Sequence, residues 1–197
     1  FDYSKLKERT WDNEILAYVA QIHEYKGKQD LYLRQKPVEL NRLIEIAKIQ
    51  STEASNKIEG IFTSDERLKK LVFNKTIPKT RNEQEIAGYR DVLSTIHESY
   101  AFITVRPSII LQLHRDLYKF SGRSIGGTYK SSDNVIAEED TDGNRLVRFQ
   151  PVPAWETPQA IEDICTAFDD VLRCGAADPL LIIPMFILDF LCVHPFD

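Results

Sequence analysis

The chain has 197 residues, 28% of them charged and 43% hydrophobic, with a formal net charge of -5. That length supports one domain, or one domain with an N-terminal extension, and the charge gives no footprint for nucleic acid or an anionic membrane. Three cysteines (Cys165, Cys174 and Cys192) without Cys-x-x-Cys spacing argue against a disulfide framework or a zinc site and fit free thiols in a reducing cytosol.

Most of the chain reads as helix. Trp11, Ile15, Tyr18, Val19 and Ile22 recur at helical spacing, and Gly27 is expected to break that helix. Pro37 opens a second helix through Leu40, Leu43, Ile44 and Ala47. Ser51 to Ile58 reads as a short helix of its own, with Gly60 as a left-handed cap. Thr63 with Glu66, and Thr80 with Glu83, are spaced as capping boxes ahead of apolar runs. Pro107 opens a helix carrying Ile110, Leu113, His114 and Leu117.

Between Ser121 and Pro153 the pattern changes. Val135-Ile136-Ala137 and Leu146-Val147-Arg148-Phe149 read as short strands, and Asp142-Gly143-Asn144 is a hairpin turn signal. Thr157-Pro158 starts a helix that Gly175 ends, and Asp178-Pro179 starts a last one, expected to be fully buried. The apolar run Leu180 to Val193 is too short to span a bilayer and contains Pro184 and Asp189. The expected architecture is all-α with one inserted β-hairpin.

Two segments carry chemistry. His194-Pro195-Phe196-Asp197 closes the apolar run. Pro195 is expected to hold His194 in an extended conformation and end the helix there, with Phe196 returning to the core. A histidine on such a turn suits a general base, which must meet a hydroxyl proton at hydrogen-bond distance. The upstream segment is Ser55-Asn56-Lys57-Ile58-Glu59-Gly60. His23, His97 and His114 show no ligand spacing, Asp169-Asp170 and Glu138-Glu139-Asp140 read as solvated acidic faces, and no phosphate loop or nucleophile elbow is present.

Together the two segments resemble the hallmarks of a self-inhibited Fic-domain protein. The first is similar to the opening of that family's signature, His-Pro-Phe-x-(Asp/Glu)-Gly-Asn-Gly-Arg, and the chain stops inside it. The second is similar to its inhibitory motif, (Ser/Thr)-x-x-x-Glu-(Gly/Asn). The resemblance implies a Fic-like helical bundle with an inserted β-hairpin flap and an N-terminal helical extension. Residues 1–79 would form the N-terminal region, with an inhibitory helix at about 51–60, and residues 80–197 a C-terminally incomplete Fic-like core. It further implies a bacterial cytoplasmic protein adenylyltransferase, which moves AMP from ATP with Mg2+ to a Ser, Thr or Tyr hydroxyl of a target protein.

By the same resemblance His194 is the catalytic base, and Pro195 and Phe196 anchor the motif. Glu59 is the inhibitory carboxylate, with Ser55 and Gly60 in support. Gly126-Gly127-Thr128-Tyr129-Lys130 resembles the start of the flap, with Lys130 where an arginine is frequent, and Val135 and Ile136 lie along the flap near the target. Asp197 falls on the signature's variable position, so no metal ligand is assigned within the chain. The chain as it stands has a base without a phosphate site and is expected to be inactive. A Fic relative that transfers another phosphate-containing group, and a silent binding or antitoxin-like module, stay open as alternatives. Neither a membrane nor a nucleic acid is implied, and a homo-oligomer is compatible with the sequence.

Overall fold

A computed structural model describes residues 2–122, 126–139, 143 and 145–197. After a 3-10 turn at Ser4–Glu8 come helices α1 (Asn13–Gln35), α2 (Pro37–Ile58), α3 (Asp65–Phe73), α4 (Arg81–Ser99) and α5 (Pro107–Leu117). Strands β1 (Ile136–Glu139) and β2 (Arg145–Phe149) follow, then α6 (Thr157–Cys174) and α7 (Pro179–Val193). The all-α reading with a single hairpin therefore holds. No helix is long and apolar enough to cross a membrane among the described residues.

The contacts define two compact units whose division falls within α5. One comprises Phe1–Arg9, Thr104–Gln112 and Gly127–Asp197, and the other Thr10–Ile103 and Leu113–Gly126. The first is centred on α6 and α7. Ala160, Ile161, Ile164 and Cys165 on α6 form a buried cluster with Val193, and Phe186, Phe190, Tyr129 and Val152 pack against it. Cys165 is enclosed enough that burial pushes its thiol up to about 11, so it is a core residue.

Helix α7 is not fully buried as its composition suggests. Ile182 and Val193 are enclosed, but Ile183, Ile187, Leu188 and Leu191 remain exposed. Apolar content all round a helix sets what it can bury, and packing within this unit encloses one side. Asp189, a carboxylate inside this apolar run, accepts a 2.6 Å hydrogen bond from the hydroxyl of Tyr3. Burial, and then this bond, raise the Tyr3 hydroxyl well above its ordinary range.

The hairpin belongs to the same unit. Its strands pair antiparallel, Ala137 with Val147 and Glu139 with Arg145, with an irregularity between Ile136 and Ala137. β1 starts at Ile136, one residue later than expected, so Val135 immediately precedes the strand. Gly143 takes a φ of +80°, as a tight turn requires, while Asp142 and Asn144 lie outside the described residues.

The other unit packs α2, α3 and α4 around Leu68, Leu71 and Ile86, with Ile49, Ile61 and Val72 at the margin. Gly88 on α4 lets the helix meet the end of α5, because a Cβ there would lie 1.8 Å from the carbonyl oxygen of Leu117. Arg67 on α3 forks onto Glu83 on α4 with contacts of 2.8 and 2.7 Å. Glu83 also accepts from the Lys79 N–H at 2.6 Å, and these partners hold its carboxyl down at about 2 against the burial that raises it.

Three boundaries differ from the sequence reading. Helix α1 runs through Gly27, because a lone glycine costs only about 1 kcal/mol in a helix and the Lys28–Glu24 pair bridges it at 2.6 Å. The 51–58 segment is the last part of α2, with no break before it. Ser64, one residue after Thr63, caps α3 by accepting from the Arg67 N–H at 3.3 Å.

Candidate functional site

The motif turn begins where α7 ends. His194 is the C-cap of that helix, and its N–H donates to the Phe190 carbonyl at 3.0 Å. It is not extended, as a residue before proline usually is. Its φ of 47° and ψ of 66° place it in the left-handed region. A left-handed residue closes a helix by turning the chain back over its own end, which here overrides the bias imposed by the proline. Such a backbone is uncommon outside glycine, and residues held there concentrate at functional sites.

What holds it is a latch from the segment preceding the hairpin. The backbone N–H of Lys130 donates to the Pro195 carbonyl at 2.8 Å. The Lys130 ammonium donates to the Val193 carbonyl and to Asn134 Oδ1, each at 3.0 Å. Asn134 Nδ2 reaches the Phe196 carbonyl at 3.5 Å, and the Val152 N–H reaches the Cys192 carbonyl at 3.4 Å. Carbonyls at a helix C-terminus lack intrahelical partners; the Lys130 ammonium and the Val152 N–H supply them at Val193 and Cys192, and the bonds to Pro195 and Phe196 hold the turn beyond. A buried cation at that end also complements the helix dipole, although burial lowers the Lys130 ammonium below its ordinary range.

The aromatic packing points the same way. Pro195 is buried, and Phe196 is half-buried against Tyr129 and Phe190, with ring centroids 6.2 and 6.3 Å away. His194 is left exposed. Asp133 completes the latch by accepting from the Ala154 N–H at 2.7 Å, which ties the two ends of the hairpin segment together. Val135 and Ile136 stand just beyond it, both partly exposed.

The motif turn is thus a fixed platform that presents an imidazole to solvent. Sequence reasoning named His194, Pro195, Phe196 and Lys130 but missed Asn134 and Asp133. The available signal was an unbroken run of five polar residues, Lys130 to Asn134, shortly before a strand. Among the described residues no group of three or more His, Cys, Asp or Glu side chains is arranged to hold a metal ion.

The second candidate segment lies in the other unit and is built as a helix terminus. Glu59 is the C-cap of α2, and Gly60 follows with a φ of +72°. The Gly60 N–H donates to the Lys57 carbonyl at 3.0 Å and the Ile61 N–H to the Asn56 carbonyl at 2.9 Å. These are the paired bonds of a Schellman cap, and Ile61 completes it by packing against the Leu68–Leu71–Ile86 cluster. Gly60 is therefore required by the backbone itself.

Ser55 is held by a residue that the sequence reading did not connect to it. The Tyr89 hydroxyl on α4 donates to Ser55 Oγ at 2.9 Å. The next residue, the buried Asn56, donates to the Thr52 carbonyl one turn back at 2.7 Å. The helix end is thereby tied to α4 at Ser55, while Glu59 stays exposed.

Two solved structures share this architecture. A Fic-domain-containing signaling protein from Bacteroides thetaiotaomicron VPI-5482 matches 82% of this chain and 60% of its own length, with a TM-score of 0.68 and 21% identity. A Fic family protein from Desulfovibrio desulfuricans G20 matches 95% of this chain and 54% of its own length, with a TM-score of 0.69 and 22% identity. The chain has the Fic fold, and it spans little more than half the length of these two proteins. No family model and no curated protein matches it.

Proposed function

We propose that the protein containing this chain is a Fic-type protein adenylyltransferase, with His194 as general base and Glu59 as its inhibitory carboxylate. The observation that carries the reading is the His194 backbone: a left-handed, non-glycine helix cap, latched by Lys130 and Asn134, with the side chain left exposed. In the proposed reaction His194 accepts the proton of a target Ser, Thr or Tyr hydroxyl. The hydroxyl oxygen bonds to the α-phosphorus of ATP, the bond to the bridging oxygen breaks, and pyrophosphate leaves. ATP with Mg2+ is the co-substrate. The hairpin, with Val135 and Ile136 at its entrance, would align the target segment by strand addition.

Glu59 fits the inhibitory role because its carboxylate is exposed on a rigid helix end. A carboxylate so held can occupy an arginine that would otherwise bind the terminal phosphate of ATP. The test uses the natural full-length protein and ATP radiolabelled at the α-phosphate. Glu59→Gly should raise label transfer to protein by roughly tenfold or more, as expected when a charge-assisted pair is released. His194→Ala in the same background should abolish it. Equal transfer by wild type and Glu59→Gly would refute inhibition, and full transfer without His194 would refute the base.

A further inference from the structure

Helix α1 is 23 residues long and buries none of them. Five of its exposed large apolar residues fall in one series, while Leu16, Leu31 and Leu33 lie off it. Ile15, Tyr18, Ile22, Tyr25 and Tyr32 recur at alternating spacings of three and four, with Gln29 filling the one remaining position of the series. That is the a/d pattern of a coiled-coil seam, which makes one straight stripe along the helix. All five remain between 38% and 64% exposed, so the described elements of the unit leave this stripe partly uncovered.

We infer that this stripe is the contact surface for a second copy of the chain, with the two α1 helices packed antiparallel. Three observations select that occupant. The first is the heptad spacing, which fits the knobs of another helix. The second is area. Ile15, Tyr18, Ile22 and Tyr25, about half-exposed, offer on the order of 400 Å² per copy, and flanking stems bring the face toward the lower end of specific interfaces, roughly 600 Å² per partner.

The third is charge. The positions flanking the stripe are acidic in the first half of the helix (Asp12, Glu14) and basic in the second (Lys26, Lys28). Parallel packing would set Glu14 against Val19 and Lys28 against Leu33, leaving these charges without partners. Antiparallel packing places Glu14 of each copy opposite Lys28 of the other and Asp12 opposite Lys26. In that same register Ile15 meets Tyr25 and Tyr18 meets Ile22, while Tyr32 falls beyond the start of the partner helix. A shift of one heptad would bring Ile15 onto Tyr32 but would set Gln29 against Tyr18 and break both charge pairs. Gln29 at an a position would disfavour shifted registers. Within one copy Glu14 accepts from the Tyr18 hydroxyl, Asp12 caps the Glu14 N–H, and Lys28 pairs with Glu24 while lying over the Tyr25 ring. These local contacts are exposed and are cheaply exchanged or shared.

Sedimentation velocity on the full chain, over a concentration series, tests the inference. The wild type should dimerise at micromolar concentrations. Ile22→Glu with Tyr25→Glu should weaken dimerisation by about 100-fold or more, since every apolar layer of the seam contains one of the two. Lys28→Glu should weaken it by about tenfold, and adding Glu14→Lys should restore it to within about threefold of wild type. Circular dichroism should show the helix content of each variant unchanged, because none of these side chains supports the core. A wild type that stays monomeric up to about 100 μM would overturn the inference, because a specific interface of this size would be populated there. A dimer insensitive to the Ile22/Tyr25 change would show that another surface is used. Failure of the charge swap to restore binding would refute the antiparallel register.

Discussion

The latch on the motif turn makes a quantitative prediction through Lys130. Lys130→Met keeps the length of the aliphatic stem and removes the ammonium. Two charge-assisted hydrogen bonds are lost, to the Val193 carbonyl and to Asn134 Oδ1. Each is worth about 1.5–3 kcal/mol, a gross loss of roughly 3–6 kcal/mol. The change also relieves the cost of burying a charge, which the lowered titration of Lys130 reports. The backbone bond from Lys130 to Pro195 survives. A net loss of about 2–3 kcal/mol follows, felt first at the end of α7. Hydrogen exchange read by mass spectrometry should show amides in the Phe190–Asp197 peptide exchanging some 30- to 150-fold faster, the ratio that such an energy implies. Peptides from α3 and α4 serve as the control. Unchanged exchange at the motif turn would refute the latch, and equal acceleration in α3 and α4 would show that the effect is global.

Other predictions concern the second unit. Glu83→Gln should cost about 2–3 kcal/mol in urea unfolding, below the usual cost of breaking a buried pair because Arg67 keeps some exposure. The Glu83 carboxyl is lowered in the folded state, so its contribution is complete above an ordinary carboxylate pKa and fades as pH falls from there toward about 2. The stability gap between wild type and Glu83→Gln should therefore shrink as acid is added, and a gap that stays constant would contradict the pairing. Gly88→Ala should destabilise by about 3 kcal/mol, because the new Cβ meets the Leu117 backbone and α4 must move. A variant as stable as wild type would mean that the helices do not approach this closely.

Much of the fold was legible because helix periodicity and caps are local signals. Pro107, Gly175 and Asp178 mark the ends where the structure has them. Thr80 caps α4 as its spacing predicts, but Glu83 reaches back to the Lys79 N–H and across to Arg67 instead of closing the box on Thr80. The misses share a cause. Gly27 and the start of the 51–58 segment were read from single-residue propensity, which flanking helix-forming residues override. Burial of α7 was inferred from apolar content, yet burial depends on what packs against each face.

The candidate site shows the same division between what is written locally and what is not. His194, Pro195 and Phe196 are contiguous, and Ser55 to Gly60 fit within two helical turns, so a short window finds them. Their supports come from a distance: Lys130 and Asn134 reach the motif turn from more than sixty positions upstream, and Tyr89 reaches Ser55 across 34. A polar side chain facing a carbonyl leaves no periodic trace, because its partner is a backbone atom that any residue could supply. The C-terminus of an apolar helix nevertheless poses a definite demand, since its last carbonyls must find donors. α7 has no polar side chain in its final turn to meet that demand. The Lys130 ammonium and the Val152 N–H, elsewhere in the unit, meet it at Val193 and Cys192, and together with Asn134 on the Phe196 carbonyl they fix the backbone of the residue proposed as the base.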